Sequence, residues 1–450
     1  MKLSTDPYKG VRDFYPDDMA IQKKIFDIWR KNVEKYGYEE YNASILEPAE
    51  LYKAKTGEEI VNKQTYTFID RGEREVTLRP EMTPTVARMV AGKKRELAFP
   101  LRWYSIPNLF RYEQPQRGRL REHWQLNVDI FGVDSIQAEV EIIQITYDIT
   151  RAYGLKDTDF EIRLNNRKLM NYVTKDVFGL SDEQAHKISK LIDKKDKIPE
   201  DVFSESAKEI FASESIDSVD KKENNRTNRE TDRVAKFLTL LNSKNFEEFT
   251  THLPQTKEEH QGISEIRGLM ANLEKLGITN TRFDQTLMRG FDYYTGIVFE
   301  VFDKNPTNHR SVFGGGRYDD LLSIFGGEKV PAVGFGAGDV VAQDLMEIYR
   351  NNERNKSSPA DLAICIVDSS STGYAQDIAQ KVRNGGLRVS VDYSFRKIGE
   401  QIKKVDRQNI SYVLCIGEEE MKTGKLRLKN LKTGEENIVD EEEIINSLKK

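Results

Sequence analysis

Cysteine is almost absent: Cys365 and Cys415 are the only two in 450 residues, far apart in sequence and outside any CxxC. That excludes a disulfide framework and a cysteine-based zinc cluster, and it suits a reducing compartment. Histidine is scarce as well. His123, His186, His252, His260 and His309 form neither an HExxH nor a spaced ligand pair, so no protein-held metal site is expected. No apolar run approaches the ~18 residues needed to cross a bilayer, so no membrane span is expected. The start, Met1-Lys2-Leu3-Ser4, lacks an apolar export core, and Asp6 and Asp13 argue against an acid-poor transit peptide, so a cytoplasmic location is expected. An excess of positive charge is missing too. With 69 basic and 74 acidic residues the formal charge is −5, which excludes a globally basic nucleic-acid binder and leaves room for a local basic surface. There is no Walker GxxxxGK[ST]. Gly334-Phe335-Gly336-Ala337-Gly338-Asp339 resembles a dinucleotide-binding turn only superficially, because the third glycine falls on Asp339 and no parallel βαβ unit surrounds it. Packing beside a bound nucleotide, or simple tight packing, accounts for these glycines.

What is present is enough for two to three domains, at about 150 residues each. Asp17 and Asp18 can cap a helix whose apolar residues Ile25, Ile28, Trp29, Val33 and Tyr36 recur at helical spacing before Gly37. A second helix is expected from the N-cap Ser135, with Ile136, Val140, Ile143 and Tyr147 on one face, ending near Gly154. Between them the chain is strand-like. From His123 to Phe131, Trp124, Leu126, Val128 and Ile130 alternate with His123, Gln125, Asn127 and Asp129. Such strands without intervening helices predict an α+β domain over 1–350: an antiparallel sheet, its polar face lining a cleft and helices covering its back. Residues of about 171–265 turn charge-rich and helical and read as an inserted module, including the nearly apolar-free run Asp220 to Arg233. Residues 351–359 have linker composition, and 360–450 alternate strand and helix as an α/β domain.

Four clusters carry chemistry. Gln125 and Asp129 share a strand face about 13 Å apart, so they either grip two ends of a small ligand, the carboxylate suiting an imidazole N–H, or simply face solvent. Arg111 on Phe110-Arg111-Tyr112-Glu113, and Arg121 at the end of the basic turn Gln116-Arg117-Gly118-Arg119-Leu120-Arg121, either clamp phosphate or belong to a solvated loop. Glu81 lies between prolines in Arg79-Pro80-Glu81-Met82-Thr83-Pro84, placed to meet an ammonium or just a turn residue. Met288-Arg289-Gly290-Phe291-Asp292-Tyr293-Tyr294-Thr295-Gly296 concentrates a cation, two phenols and two glycines, which suits a developing phosphate charge and an imidazole, or else a core with a surface arginine. His123 opens the polar strand and is placed to stack on a base.

In this order, these segments resemble the histidyl-tRNA synthetase family of class II aminoacyl-tRNA synthetases over essentially the whole chain. Gly10-Val11-Arg12-Asp13-Phe14-Tyr15-Pro16 with Leu46-Glu47-Pro48 is similar to motif 1, and Phe110 to Asp129 to motif 2. Arg289 to Gly296 and Gly314-Gly315-Gly316-Arg317-Tyr318-Asp319 resemble the two histidine-specific signatures. The resemblance implies activation of L-histidine with ATP and transfer to tRNA(His). It implies a histidine pocket of Glu81, Met82, Thr83, Gln125, Asp129, Tyr293, Tyr294 and Tyr318, with Asp129 and Tyr294 reading the imidazole. It implies Arg111 and Arg289 as catalytic cations on the α-phosphate, and Arg111, Glu113, Arg121 and Arg289 around ATP with its Mg²⁺. A homodimer is implied through motif 1. The last domain resembles the family's anticodon-binding domain, with Arg388, Arg396, Lys397, Lys403, Lys404 and Arg407 as cations toward RNA. In one respect the chain departs: the arginine that ordinarily ends motif 3 is replaced by Val341. Losing one charge-assisted partner costs about 1.5–3 kcal/mol if uncompensated. The rival reading is a non-catalytic, synthetase-like regulatory paralogue, which lacks the anticodon domain and much of the first signature.

Overall fold

The computed structural model describes residues 3–53, 64–116, 118–212, 223–255, 257–288, 293–308, 311–350 and 358–449. They form two compact units, Met1–Asp13 with Gln22–Asn351 and Phe14–Ile21 with Asn352–Lys450.

The first unit is organised by strands that alternate or are apolar throughout. In chain order they are β1 (Glu39–Glu40), β2 (Leu46–Pro48), β3 (Tyr66–Ile69), β4 (Glu75–Leu78), β5 (Leu101–Ser105), β6 (Asn108–Phe110), β7 (Glu122–Phe131), β8 (Phe160–Asn166), β9 (Thr281–Phe283), β10 (Ile297–Asp303), β11 (Ser311–Arg317) and β12 (Ala332–Gly338). The main sheet runs β1-β5-β7-β12-β11-β10-β8-β9, with β6 also on β7, while β2, β4 and β3 form a small separate sheet. Its central pairs are antiparallel, as expected. At the edges, β1 pairs with β5 and β8 with β9 in parallel, so the sheet is mixed.

Helices cover the apolar face. Gln137–Ala152 buries Val140, Ile142, Ile143, Ile145 and Ile149 and packs on β7, β11 and β12. Each such side chain contributes about 1.5–3 kcal/mol on leaving water. Its N-cap is Ile136, one residue past the expected Ser135, whose carbonyl accepts from the amide of Ala138. Pro16–Glu34 begins with proline, whose fixed φ suits the first helical position. Asp17 and Asp18 therefore sit inside the first turn instead of capping it, and the Asp18 carboxylate reaches back to the Tyr15 amide.

Among the described residues between β8 and β9 the chain is mostly helical, from Arg167–Asn171 to Gln261–Lys275. The side chain of Asn166 accepts from the amide of Lys168, which ends the strand and starts the helices. Phe178 packs edge-on against Phe211 and Phe237 at 5.8 and 5.5 Å, and those two rings lie tilted on each other at 5.5 Å. Of the run Asp220 to Arg233, residues 220–222 lie outside the described residues and the remainder belongs to the helix Glu223–Leu241.

The second unit carries a five-stranded sheet, β14-β13-β15-β16-β17, from β13 (Leu362–Ile366), β14 (Val389–Asp392), β15 (Tyr412–Ile416), β16 (Leu426–Asn430) and β17 (Glu436–Val439). The first three are parallel, with Thr372–Asn384 and Ile398–Arg407 as crossover helices, and β16 and β17 add an antiparallel hairpin. Cys365 and Cys415, distant in sequence, are register partners on neighbouring strands, both as free thiols.

Candidate active site

The polar face of β7 is enclosed toward its carboxyl end. Asp129 is 3% exposed and Asn127 4%, whereas Gln125 and His123 are half-buried. The volume they occupy exists because β12 beside them is glycine at every second position. A Cβ on Gly334 would stand 2.1 Å from Oδ1 of Asp129, and one on Gly336 would stand 2.1 Å from Nε2 of Gln125. The glycine run therefore serves close packing under the candidate ligand residues, within an antiparallel pair.

Burial pushes the Asp129 carboxyl up to about 7. The Tyr318 hydroxyl donates to it, and burial beside this carboxyl drives the phenol well above its ordinary range. Tyr293 stands edge-on to Tyr318 at 5.8 Å and tilted on Tyr294 at 4.9 Å. Its hydroxyl donates to Oε2 of Glu81 at 3.1 Å, in a carboxylate only 3% exposed. Glu81, Asp129, Tyr293, Tyr294 and Tyr318 thus converge as a carboxylate and phenol shell. Gln125 stands beside them, its amide donating to Oδ1 of Asn127 at 3.0 Å. Thr83 opens the helix Thr83–Lys93, half-buried, whereas Met82 at its N-cap is fully buried in the core.

The cations lie near the amino end of β7. Arg111 donates from Nε to the carbonyl of Pro80 at 2.9 Å, tying motif 2 to the Glu81 segment. Arg121 is 9% exposed and engaged locally: it stacks on Tyr112 at 4.0 Å and donates to the Tyr8 hydroxyl and to the carbonyls of Lys9 and Glu113. Here it braces the N-terminal segment against the motif 2 loop. Glu113 pairs with Arg119 at 3.4 Å, on a recess of about 250 Å³ lined also by Gln64, Tyr112, Gln114 and Gln116. Burial, with Arg111 and Arg12 nearby, pushes the His123 imidazole down to about 3, so it is neutral near pH 7. Arg289, with residues 290–292, lies outside the described residues.

Sequence reading missed three supports. Arg79, 4% exposed, donates to the carbonyls of Asn108 and Ala43 and fixes the loop that presents Glu81. Arg12 donates to Asp339 at 2.7 Å, and the other oxygen of that carboxylate accepts from the amide of Trp124. Arg317 pairs with the buried Glu139. In each case the partner is distant in sequence, so the charge alone reads as surface. Val341 stands half-buried in the first turn of the helix Asp339–Tyr349.

In the second unit the six candidate cations separate. Arg388 precedes β14 and pairs with Asp361 at 2.6 Å, at the amino end of the parallel strands. Lys404 pairs with Asp392 at 3.1 Å, and Lys403 and Arg407 are exposed on the same helix. Arg396 and Lys397 lie at the opposite, carboxyl end, in the loop where Tyr393 is 47% and Phe395 46% exposed. Phe395 has a φ of 49°, uncommon for a bulky residue.

Residues 10–338 match the family model for histidyl-tRNA synthetase, and 361–450 match that for the anticodon binding domain. The chain belongs to the histidyl-tRNA synthetase family. The histidine–tRNA ligase of Leptospira biflexa is 42% identical over 432 residues, 96% of this chain and 94% of that protein. That of Thermoplasma volcanium is 33% identical over 448 residues, covering 100% and 99%. The histidyl-tRNA synthetase structure from Nostoc sp. PCC 7120 shares the fold at a TM-score of 0.78 and 22% identity, covering 100% of this chain and 99% of its own. Membership of the histidyl-tRNA synthetase family, with residues 361–450 matching the anticodon binding domain, favours a synthetase over the regulatory paralogue.

Proposed function

We propose that this chain is a histidine–tRNA ligase: it joins L-histidine to ATP as histidyl-adenylate, releasing pyrophosphate, and passes histidine to the terminal adenosine of tRNA(His). The observation that carries the reading is the enclosed shell of Asp129, Tyr318, Tyr294, Tyr293 and Glu81 on a floor of glycine. It is small, polar and lined by phenols, which suits an imidazole at the Asp129 end and an ammonium at the Glu81 end.

In this reading Asp129 and Tyr294 hold the imidazole, Glu81 and Thr83 the amino group, and Gln125 the carboxylate end, with Met82 supporting the helix start from the core. The histidine carboxylate attacks the α-phosphorus directly, so the protein supplies alignment and charge neutralisation more than a base. Arg111 and Arg289 flank the α-phosphate, while Glu113 and Arg121 border the nucleotide. Mg²⁺ bound to ATP would supply further charge neutralisation at the pyrophosphate.

We assign 1–350 to the catalytic domain with 171–265 as its insertion, 351–359 to the linker and 360–450 to the anticodon-binding domain. A homodimer through the motif 1 region, in the cytoplasm, completes the reading. No described helix is long and apolar enough to cross a membrane. The test is charging: purified protein, tRNA(His) and labelled amino acids one at a time. Histidine alone should become acid-precipitable with the tRNA; charging by another amino acid, or by none in folded protein that binds histidine, overturns it.

A further inference from the structure

The three tyrosines and Asp129 face the pocket, yet what fixes them lies behind the sheet. Arg317 follows Gly316 on β11 and therefore points to the opposite face, toward the helix Gln137–Ala152. There its guanidinium is 4% exposed and Glu139 is 2% exposed. Nη2 donates to Oε2 of Glu139 at 2.7 Å and Nε donates to the other carboxylate oxygen. Nη1 donates to the carbonyl of Val133 and to Oδ1 of Asp319, both at 3.2 Å, and Nη2 also reaches the carbonyl of Ser135 at 3.3 Å. The planar fork has found five acceptors.

This knot reaches the pocket segments that carry the tyrosines. The carbonyl of Arg317 accepts from the amide of Thr295 at 2.8 Å, and Oγ1 of Thr295 accepts from the amide of Asp319 at 3.1 Å. Residues 293–296 and 317–319 are therefore laced together, with Gly296 in place because a Cβ there would stand 3.1 Å from Cδ of Arg317. Oδ1 of Asp319 also accepts from the amide of Ala332 at 3.1 Å, and the Tyr318 amide donates to the carbonyl of Ala332 at 2.8 Å. Tyr318 is pinned on both sides, and its hydroxyl holds Asp129.

We propose that Glu139, outside every segment facing the pocket, is a positioning residue for amino-acid recognition: through Arg317 it sets the placement of Tyr293, Tyr294 and Tyr318, and so of Asp129. A buried ion pair is a poor device for stability alone, since apolar residues of similar volume often do as well or better. Its planar, two-pronged geometry fixes orientation, which matters because a displacement of about 1 Å at a reacting site costs on the order of 10²-fold.

The proposal rests on the reading of this shell as the histidine pocket, and the experiment separates the two. KM values for histidine and for ATP would be measured by pyrophosphate exchange for Glu139→Gln, for the double variant Glu139→Met with Arg317→Met, and for Tyr318→Phe. Positioning predicts that Glu139→Gln raises the histidine KM about tenfold or more with the ATP KM within about twofold. The double variant should melt near the parent temperature and still show the raised histidine KM. If Glu139→Gln leaves the histidine KM unchanged, or raises both KM values together, the proposal is overturned. A folded double variant with a normal histidine KM overturns it as well. An unchanged histidine KM in Tyr318→Phe instead overturns the pocket assignment, whatever Glu139 does.

Discussion

Replacing Gly334 by alanine tests the packing argument where it is tightest. The new Cβ would fall 2.1 Å from Oδ1 of Asp129, with the Val128 carbonyl at 2.7 Å. An ordinary carbon–oxygen contact is about 3.2 Å, so Asp129 must retreat by about 1 Å or β12 must part from β7. Overpacking of this kind costs about 1–3 kcal/mol. The reduced freedom of the unfolded chain returns about 0.4–1 kcal/mol, which leaves a net loss of no more than about 2.5 kcal/mol. The protein should remain folded while its ligand carboxylate moves. A shift of about 1 Å corresponds to roughly 10²-fold in kcat/KM for histidine, or about 2.7 kcal/mol. Pyrophosphate exchange would read this, with the ATP KM and a melting curve alongside. Gly338→Ala, on the same strand, is the comparison, because a Cβ there meets nothing within 4 Å. A folded Gly334→Ala protein with the parent's histidine KM would refute the reasoning.

Other perturbations follow from the same geometry. Asp129 titrates at about 7, and free imidazole at about 6.5. Below that range both partners carry a proton, and the enclosed complex must shed at least one. Histidine KM should therefore rise by up to about tenfold per pH unit below about pH 6.5; a flat profile down to about pH 5.5 contradicts it. Tyr318→Phe removes a hydrogen bond to a charged group, worth about 1.5–3 kcal/mol, and should raise the histidine KM by about 10- to 100-fold in the exchange assay. In the second unit, Phe395→Ala with Arg396→Ala should raise the KM for tRNA about tenfold by losing a stacking face and a phosphate contact, leaving pyrophosphate exchange unchanged. Arg388→Ala should leave tRNA charging unaltered and cost no more than about 1 kcal/mol in melting experiments, since Arg388 is exposed and its partner Asp361 only half-buried.

Much of the architecture was legible because local pattern and final environment agree. The alternation of β7 gave the strand and the residues on its polar face. The spacing of Ile136, Val140, Ile143 and Tyr147 gave the covering helix, and the change of composition after Tyr349 marked the second unit. The hairpin β16–β17 was not read, because Leu426 to Val439 is dominated by charge and its burial is confined to Leu426, Leu428 and Val439. Polarity misled in a second way. Asp129, Glu81, Arg317 and Glu139 are all nearly inaccessible, and sequence cannot say that a charge is buried until its partner, up to about 200 positions away, is in place. The glycines of β12 were read as serving either a bound nucleotide or tight packing; that they pack under Asp129 and Gln125 depends on side chains of the neighbouring strand. The separation of Arg388 from Arg396 and Lys397 likewise follows from which end of a parallel strand each occupies.

Pyrophosphate exchange without tRNA, with each amino acid in turn, tests adenylate formation most directly. The account predicts exchange that depends on histidine and ATP, is negligible with the other amino acids, and is lost in Arg289→Ala while histidine binding persists. Folded protein that binds histidine without any exchange would contradict the account, and so would exchange equally supported by another amino acid.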